Sequence, residues 1–271
     1  MSRLKKSIAG VLGFLLLLVW IFPFYLMISN SLKTKKEIFN NTLGFPKDLT
    51  FENYPQAFQD LDFIKTLFNS LLITVLSVLI IVIFSSLAAY ALQRVKSKLS
   101  GVVFMMFVAA MLIPFQSVMI PLVTIFGKLD QLNRGGLIFM YLGFGASMSI
   151  FLYHGAMKSI PRALDEAAII DGASRFQIFR YVIFPMLKPT TVTVALLNTM
   201  WIWNDYLLPS LIINKEGQQT IPLKMFFFFG EYTKQWHLAL AGLVIAIVPV
   251  IIFYFIMQKQ IIDGVADGAV K

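Results

Sequence analysis

Residues 165–189 read DEAAIIDGASRFQIFRYVIFPMLKP. Asp165 and Glu166 open the stretch, a lone Gly172 divides it, and Pro185 and Pro189 close it, between two long apolar runs. Pro161 suits the first turn of a helix, where its missing N–H costs nothing. Acids just after it are favoured by the helix dipole. Gly172 can take the left-handed conformation that ends a helix. Ser174 with Gln177 has the form of a capping box, which predicts a second helix from Arg175 to about Phe184. Three- and four-residue spacing puts Ala163, Glu166, Ala167 and Ile170 on one side of the first helix. Small alanines let another surface approach, and the glutamate can pair with a base there, so the ridge fits a groove on a partner protein. The alternative is an amphipathic helix on the inner leaflet, which ordinarily carries Lys and Arg opposite bulky apolar anchors.

The rest of the chain sets the environment. Of its 271 residues 58% are hydrophobic and 14% charged, with mean hydropathy +0.77. Soluble domains average about 45–50% apolar and about 25% charged, so this composition is that of an integral membrane protein. There is no cysteine, which excludes disulfides and thiol chemistry. The net charge of +9 fits loops held on the inner side of a membrane better than nucleic-acid binding. A span needs about 20 mostly apolar residues, and six stretches qualify: about 7–29, 67–92, 101–126, 137–157, 192–213 and 238–257. The fold class is therefore all-α, a polytopic single transmembrane domain over 1–271 with its charged loop at 158–189. The first span is too long for a signal-peptide core, which runs roughly 7–15 residues. Pro114 and Pro121 should kink or break the third span. The short 93–99 turn holds Arg94, Lys96 and Lys98 with no acid, which places it, both termini and the quoted loop in the cytoplasm.

Glu166-Ala167-Ala168, three residues, Gly172, nine residues and Val182-Ile183-Phe184-Pro185 resemble the EAA loop of the permeases of ATP-binding-cassette (ABC) importers. Val182 and Phe184 replace that pattern's Ile and Leu. Phe22-Pro23-Phe24-Tyr25 with Ser31-Leu32-Lys33, Asn69-Ser70-Leu71, Ala88 to Leu92, Ile113-Pro114, Ile120-Pro121-Leu122, Ser159-Ile160-Pro161 and Trp203-Asn204-Asp205 are similar in order and spacing to the maltose-type (MalG-like) carbohydrate permeases of that family. The resemblance implies a coupling helix seated in a separate ATPase, with Glu166, Ala167, Ala168, Asp171 and Gly172 at the contact. It implies a C-terminal tail, through Gly264, Gly268 and Lys271, that reaches between the ATPase subunits. It also implies a second permease subunit, two ATPase subunits carrying ATP-Mg, an extracellular sugar-binding protein, and residence in a bacterial inner membrane. The expected cargo is a carbohydrate, an oligosaccharide in particular.

Asp205 is the one acid inside a predicted span, and such a charge near the bilayer centre costs about 2.5–3.5 kcal/mol on insertion scales. Two readings stand. Either Trp201, Trp203, Asn204, Asp205 and Tyr206 line a watery path that suits sugar hydroxyls, or Asp205 is an interhelical hydrogen-bond partner and the tryptophans pack. His154 and His237 lack ligand spacing, and no metal site is expected. Phe226 to Phe229 reads as a packing loop or a gate. Lys33, Lys35 and Lys36 are expected on a solvated outer loop. The sequence contains no G-x-x-x-x-G-K-[ST], so no cofactor is expected on this chain and ATP hydrolysis would belong to another. The rival is an ion-coupled secondary transporter, which would need several intramembrane ionisable groups.

Overall fold

Lipid offers no partner to a backbone N–H or C=O, so a membrane chain folds into elements that satisfy their own. A computed structural model describes residues 3–95, 97–229 and 234–269, with side chains described only between Gly10 and Gln258. Among them there are helices and one isolated bridge, Phe229 to Lys234, but no strand. In chain order the helices are α1 (Arg3–Ser31), α2 (Lys35–Asn40), α3 (Asn53–Asp60), α4 (Phe63–Arg94), α5 (Lys98–Ala110), α6 (Phe115–Lys128) and α7 (Arg134–Met157). They continue as α8 (Ala163–Ile170), α9 (Arg175–Gln177), a π-helical turn (Ile178–Ile183), α10 (Phe184–Met186), α11 (Lys188–Asn204), α12 (Leu207–Ile212), α13 (Ile221–Met225), a 3-10 turn (Phe226–Phe228) and α14 (Trp236–Ala269).

Four stretches, Gly10–Ser31, Phe63–Arg94, Arg134–Met157 and Trp236–Gln258, are each long and apolar enough to cross a membrane. Two bent pairs raise the number to as many as six: Lys98–Ala110 with Phe115–Lys128, bent by 102°, and Arg175–Met186 with Lys188–Asn204, bent by 78°. The third predicted span breaks only at Pro114, which turns extended at φ −69°, ψ 138°. Pro121 lies inside α6 without ending it, as proline does in lipid where neighbours re-satisfy the freed carbonyl. The fifth predicted span, 192–213, is not one helix. It stops at Asn204, leaves the helical ladder at Asp205 and Tyr206, and resumes as α12.

The chain forms two compact units, residues 1–66 with 223–254 and residues 67–222 with 255–271. In the larger, α4, α7 and α11 meet at Gly145, where a Cβ would come within 2.6 Å of Ile81 Cδ1 and 2.7 Å of Asn198 Oδ1. Asn198 Nδ2 donates to Ser149 Oγ at 3.1 Å and to the Val194 carbonyl at 2.8 Å, the small-residue contact and polar glue that hold helices together where apolar surface gives no driving force. Nearer the charged loop, Val82, Ala89, Ile150, Tyr153, Met157, Ile178, Ile183 and Leu187 form a buried core.

In the smaller unit the structure corrects the reading of Lys33. Lys35 and Lys36 are exposed, but Lys33 is fully buried. Its Nζ donates to Asn30 Oδ1 at 3.0 Å, the Asn41 carbonyl at 2.7 Å and the Gly44 carbonyl at 2.6 Å. Asn53 Nδ2 closes the knot on the carbonyls of Ser31 and Lys33. An ammonium has three donors; the end of α1 supplies one acceptor and the loop after α2 the other two. Burial lowers the Lys33 pKa from its ordinary value, partly opposed by Glu37. Composition could not show this, because a lysine in a polar stretch is ordinarily solvated. Of the phenylalanine run, Phe228 is buried, Phe227 lies under the Lys224 ammonium, and Phe229 meets Trp236 edge-on.

Lys33→Met keeps the stem and removes the charge, orphaning buried acceptors at about 1–3 kcal/mol. The expected outcome is a lower thermal midpoint in detergent with faster proteolysis between 34 and 50, whereas Lys35→Met leaves both unchanged.

Candidate functional site

The charged loop folds as its punctuation dictates, with one shift of register. Pro161 precedes the helix instead of entering it, and α8 begins at Ala163 after Arg162. Gly172 takes φ +82°, the left-handed stop that costs a glycine no strain. Ser174 and Gln177 form the reciprocal capping box. The second helix is not uniformly α, because its middle, Ile178–Ile183, widens to a π turn. Pro185 has no N–H to offer the Tyr181 carbonyl, its α-helical partner, so the ladder upstream is the one that yields.

Of the five predicted contact residues, Glu166, Ala167, Asp171 and Gly172 are exposed. Ala168 is turned inward, half-buried, and packs with Ala173 against the bundle core. The exposed side is more apolar than the spacing argument foresaw. Ile170 is 85% exposed, and Ile169, Phe176 and Tyr181 stand out of the surface beside it. Together they form an exposed apolar patch on the loop.

Sequence reasoning missed how the loop is fastened. Arg94, at the end of α4, pairs with Asp165 at 2.8 Å with both side chains nearly buried. Tyr90 Oη donates to Asp165 Oδ1 at 3.1 Å. Arg94 also reaches the Ile160 carbonyl at 3.4 Å, and Arg162 donates to the Gln93 carbonyl at 2.9 Å. These partners lie far apart along the chain, and no local periodicity reports them. The one signal in the sequence was Arg94 itself, the first of three basic residues that follow an uncharged span.

The residues around the fifth-span break divide in two. Trp201 and Asn204 lie on the exposed side of α11, while Trp203, Asp205 and Tyr206 are partly buried. Asp205 is an interhelical acceptor: Tyr141 Oη donates to its Oδ2 at 2.9 Å. Its Oδ1 accepts from the N–H of Leu207 at 3.0 Å and of Leu208 at 3.4 Å. The carboxylate thus stands in for the carbonyls that the interrupted helix no longer provides, and Tyr141 is held edge-on to Trp201. His154 stacks on Phe104 at 3.9 Å. Among the described residues no group of His, Asp or Glu could hold a metal. Gly264 and Gly268 fall within α14, and Lys271 lies outside the described residues.

The exposed helix–turn–helix is thus fixed to the end of α4, in a chain whose described residues hold four unbroken apolar helices and two bent pairs. Residues 81–266 match the family model for the binding-protein-dependent transport system inner membrane component, and the chain belongs to that family. It is 58% identical, over 99% of its length and 98% of the relative's, to the probable starch degradation products transport system permease protein AmyC of Thermoanaerobacterium thermosulfurigenes. It is 36% identical to the melibiose/raffinose/stachyose import permease protein MelC of Bacillus subtilis, over 92% of its length and 91% of the relative's. In three dimensions it resembles a chain in the crystal structure of a bacterial ABC transporter involved in import of the acidic polysaccharide alginate, with TM-score 0.76, 26% identity, and 96% and 98% of the two chains covered. The resemblance to maltose-type ABC permeases therefore holds, and the ion-coupled rival falls. The chain is a multi-pass inner-membrane transport permease, not an enzyme.

Asp205→Ala removes acceptors from three donors, each loss costing about 1–3 kcal/mol where the donor stays buried, and Asp205→Asn keeps most of that geometry. Thermal unfolding in detergent is expected to show a clear drop for Asp205→Ala and a smaller one for Asp205→Asn.

Proposed function

We propose that this chain is one half of a heterodimeric permease that imports an oligosaccharide, driven by two separate ATPase subunits gripping the α8 loop. The supporting observation is the loop itself, an exposed helix whose apolar side, Ile169, Ile170 and Phe176, sits beside Glu166 and Asp171. A surface with both features fits a groove that has an apolar floor and a basic rim. Glu166, Ala167, Asp171 and Gly172 are the contacts, and Ala168 sets how closely α8 lies on the bundle. In the imported state of this reading the loop, the N-terminus and the C-terminus are cytoplasmic. The tail around Gly264, Gly268 and Lys271 extends toward the ATPases. ATP-Mg is bound on those subunits. An extracellular binding protein delivers the sugar to the opposite face.

The sugar cargo rests on the kinship, since the related permeases are described as carrying starch degradation products and the melibiose, raffinose and stachyose group. On this chain the exposed indole of Trp201 and the amide of Asn204 are the groups placed to meet a sugar, with Trp203 and Tyr206 behind them. Asp205 shapes that wall by holding the break between α11 and α12. Switching follows from differential binding: ATP favours one arrangement of the ATPases, and the permease follows because α8 is held in both.

In a reconstituted complex, Glu166→Lys and Gly172→Asp are expected to lower sugar uptake at least about tenfold while insertion is normal and ATP hydrolysis escapes control by the binding protein. Nothing lies within 4 Å of a Cβ at Gly172, so beyond the modest cost of a left-handed aspartate, about 1–2 kcal/mol, the loss would report the partner surface. Normal coupling in both variants overturns this reading.

A further inference from the structure

The far end of α4 is tied as firmly as the end that meets α8. Asn69 Nδ2 donates to the carbonyls of Gly217 at 3.1 Å and Gln219 at 3.0 Å, and Ser70 Oγ accepts from the Ile221 N–H at 2.9 Å. Asn69 and Ser70 are both buried, and two donors of one amide spent on two carbonyls fix both the position and the rotation of that loop. Between the two ends α4 runs without interruption and contains no proline. At ~1.5 Å rise per residue the distance from Ser70 to Arg94 is about 36 Å, which crosses the membrane. Midway, Ile81 presses on Gly145 of α7. Of the other long spans only α7 is likewise unbroken and free of proline: α1 and α14 contain Pro23 and Pro249, α5 and α6 break at Pro114, and α11 and α12 break at Asp205.

We propose that α4 is a connecting rod: it carries displacement of α8 to the 217–221 loop on the opposite face, and Arg94, Asp165 and Asn69 are positioning residues that pin its ends. The lower pin resists both pull and twist. Asp165 is held by a guanidinium from one side and a phenol from the other, and the same guanidinium reaches the Ile160 carbonyl just ahead of α8. A straight helix pinned at both ends moves as one body, whereas a broken span takes up displacement at its break. The cycle therefore has a stiff route to the opposite face alongside the jointed spans that rearrange. This inference rests on the coupling role given to α8 above, and it adds that the effect of α8 is felt at residues that touch neither ATPase nor sugar.

The test uses the whole complex, reconstituted with its second permease, ATPases and binding protein, and reads uptake per ATP hydrolysed. Asp165→Asn and Asn69→Ala are each expected to lower that ratio at least about fivefold while ATPase co-purification stays at the level of the unaltered chain. Arg94→Lys keeps the charge but loses the fork that spans Asp165 and Ile160, and is expected to lose at least about twofold. It carries the test if either removal variant fails to assemble. A merely structural role would lower yield and thermal midpoint while leaving uptake per ATP unchanged, and that result overturns the rod. If the unaltered chain brings down no ATPase, the coupling role itself fails. If ATPase co-purifies with every variant and the ratio never moves, only the rod fails.

Discussion

A peptide group in hydrocarbon must find its partner within the protein, and the architecture follows from how this chain obeys that constraint and where it departs from it. Most of the sequence meets it with uninterrupted helix. The departures are few, and each is met by a specific substitute. At Pro114 the chain turns extended and restarts. Ahead of Pro185 the ladder widens. At Asp205 a carboxylate replaces missing carbonyls and is itself held by Tyr141. The acid that looked most like a transport group on charge alone thus has a structural task, and the adjoining Trp201 and Asn204 are left facing outward.

The same economy governs charge. Arg94 and Asp165 are withdrawn from water together. Tyr90 and the Ile160 carbonyl engage further groups of the pair, although Arg94 Nε is left without a partner among the described residues, so the pair specifies geometry more than it adds stability. Lys33 is buried only because Asn30, Asn41 and Gly44 surround its ammonium. In both places a polar side chain specifies geometry, fixing where a helix end sits against a loop, more than it adds stability. A transporter has use for that, because its parts must keep their relations while the whole changes state.

Four long apolar helices lie where hydrophobic run length put spans, and α8, Gly172 and the capping box follow from local chemistry, because these depend on residues within a turn of one another. Pro161 misled by two positions: the residue before a helix and its first residue are both good places for proline. The fifth span misled because composition averages over a window, and one carboxylate that caps a new helix leaves the average apolar. Lys33 misled because solvation was inferred from its neighbours in sequence, whereas two of its three acceptors arrive from a loop folded back over it.

By itself the sequence determined that this protein lives in a membrane, that it is helical, and that one charged hairpin with a glycine stop and a capping box lies between two apolar runs, since solubility, periodicity and turn chemistry are local properties. Only the tertiary structure decided which charges are paired, that Ala168 packs on the bundle while Ile170 is exposed, and that α4 is fastened at both ends. Those facts depend on groups distant in the chain coming within 3 Å or so of each other, and no local pattern encodes a meeting between residues that only packing brings together.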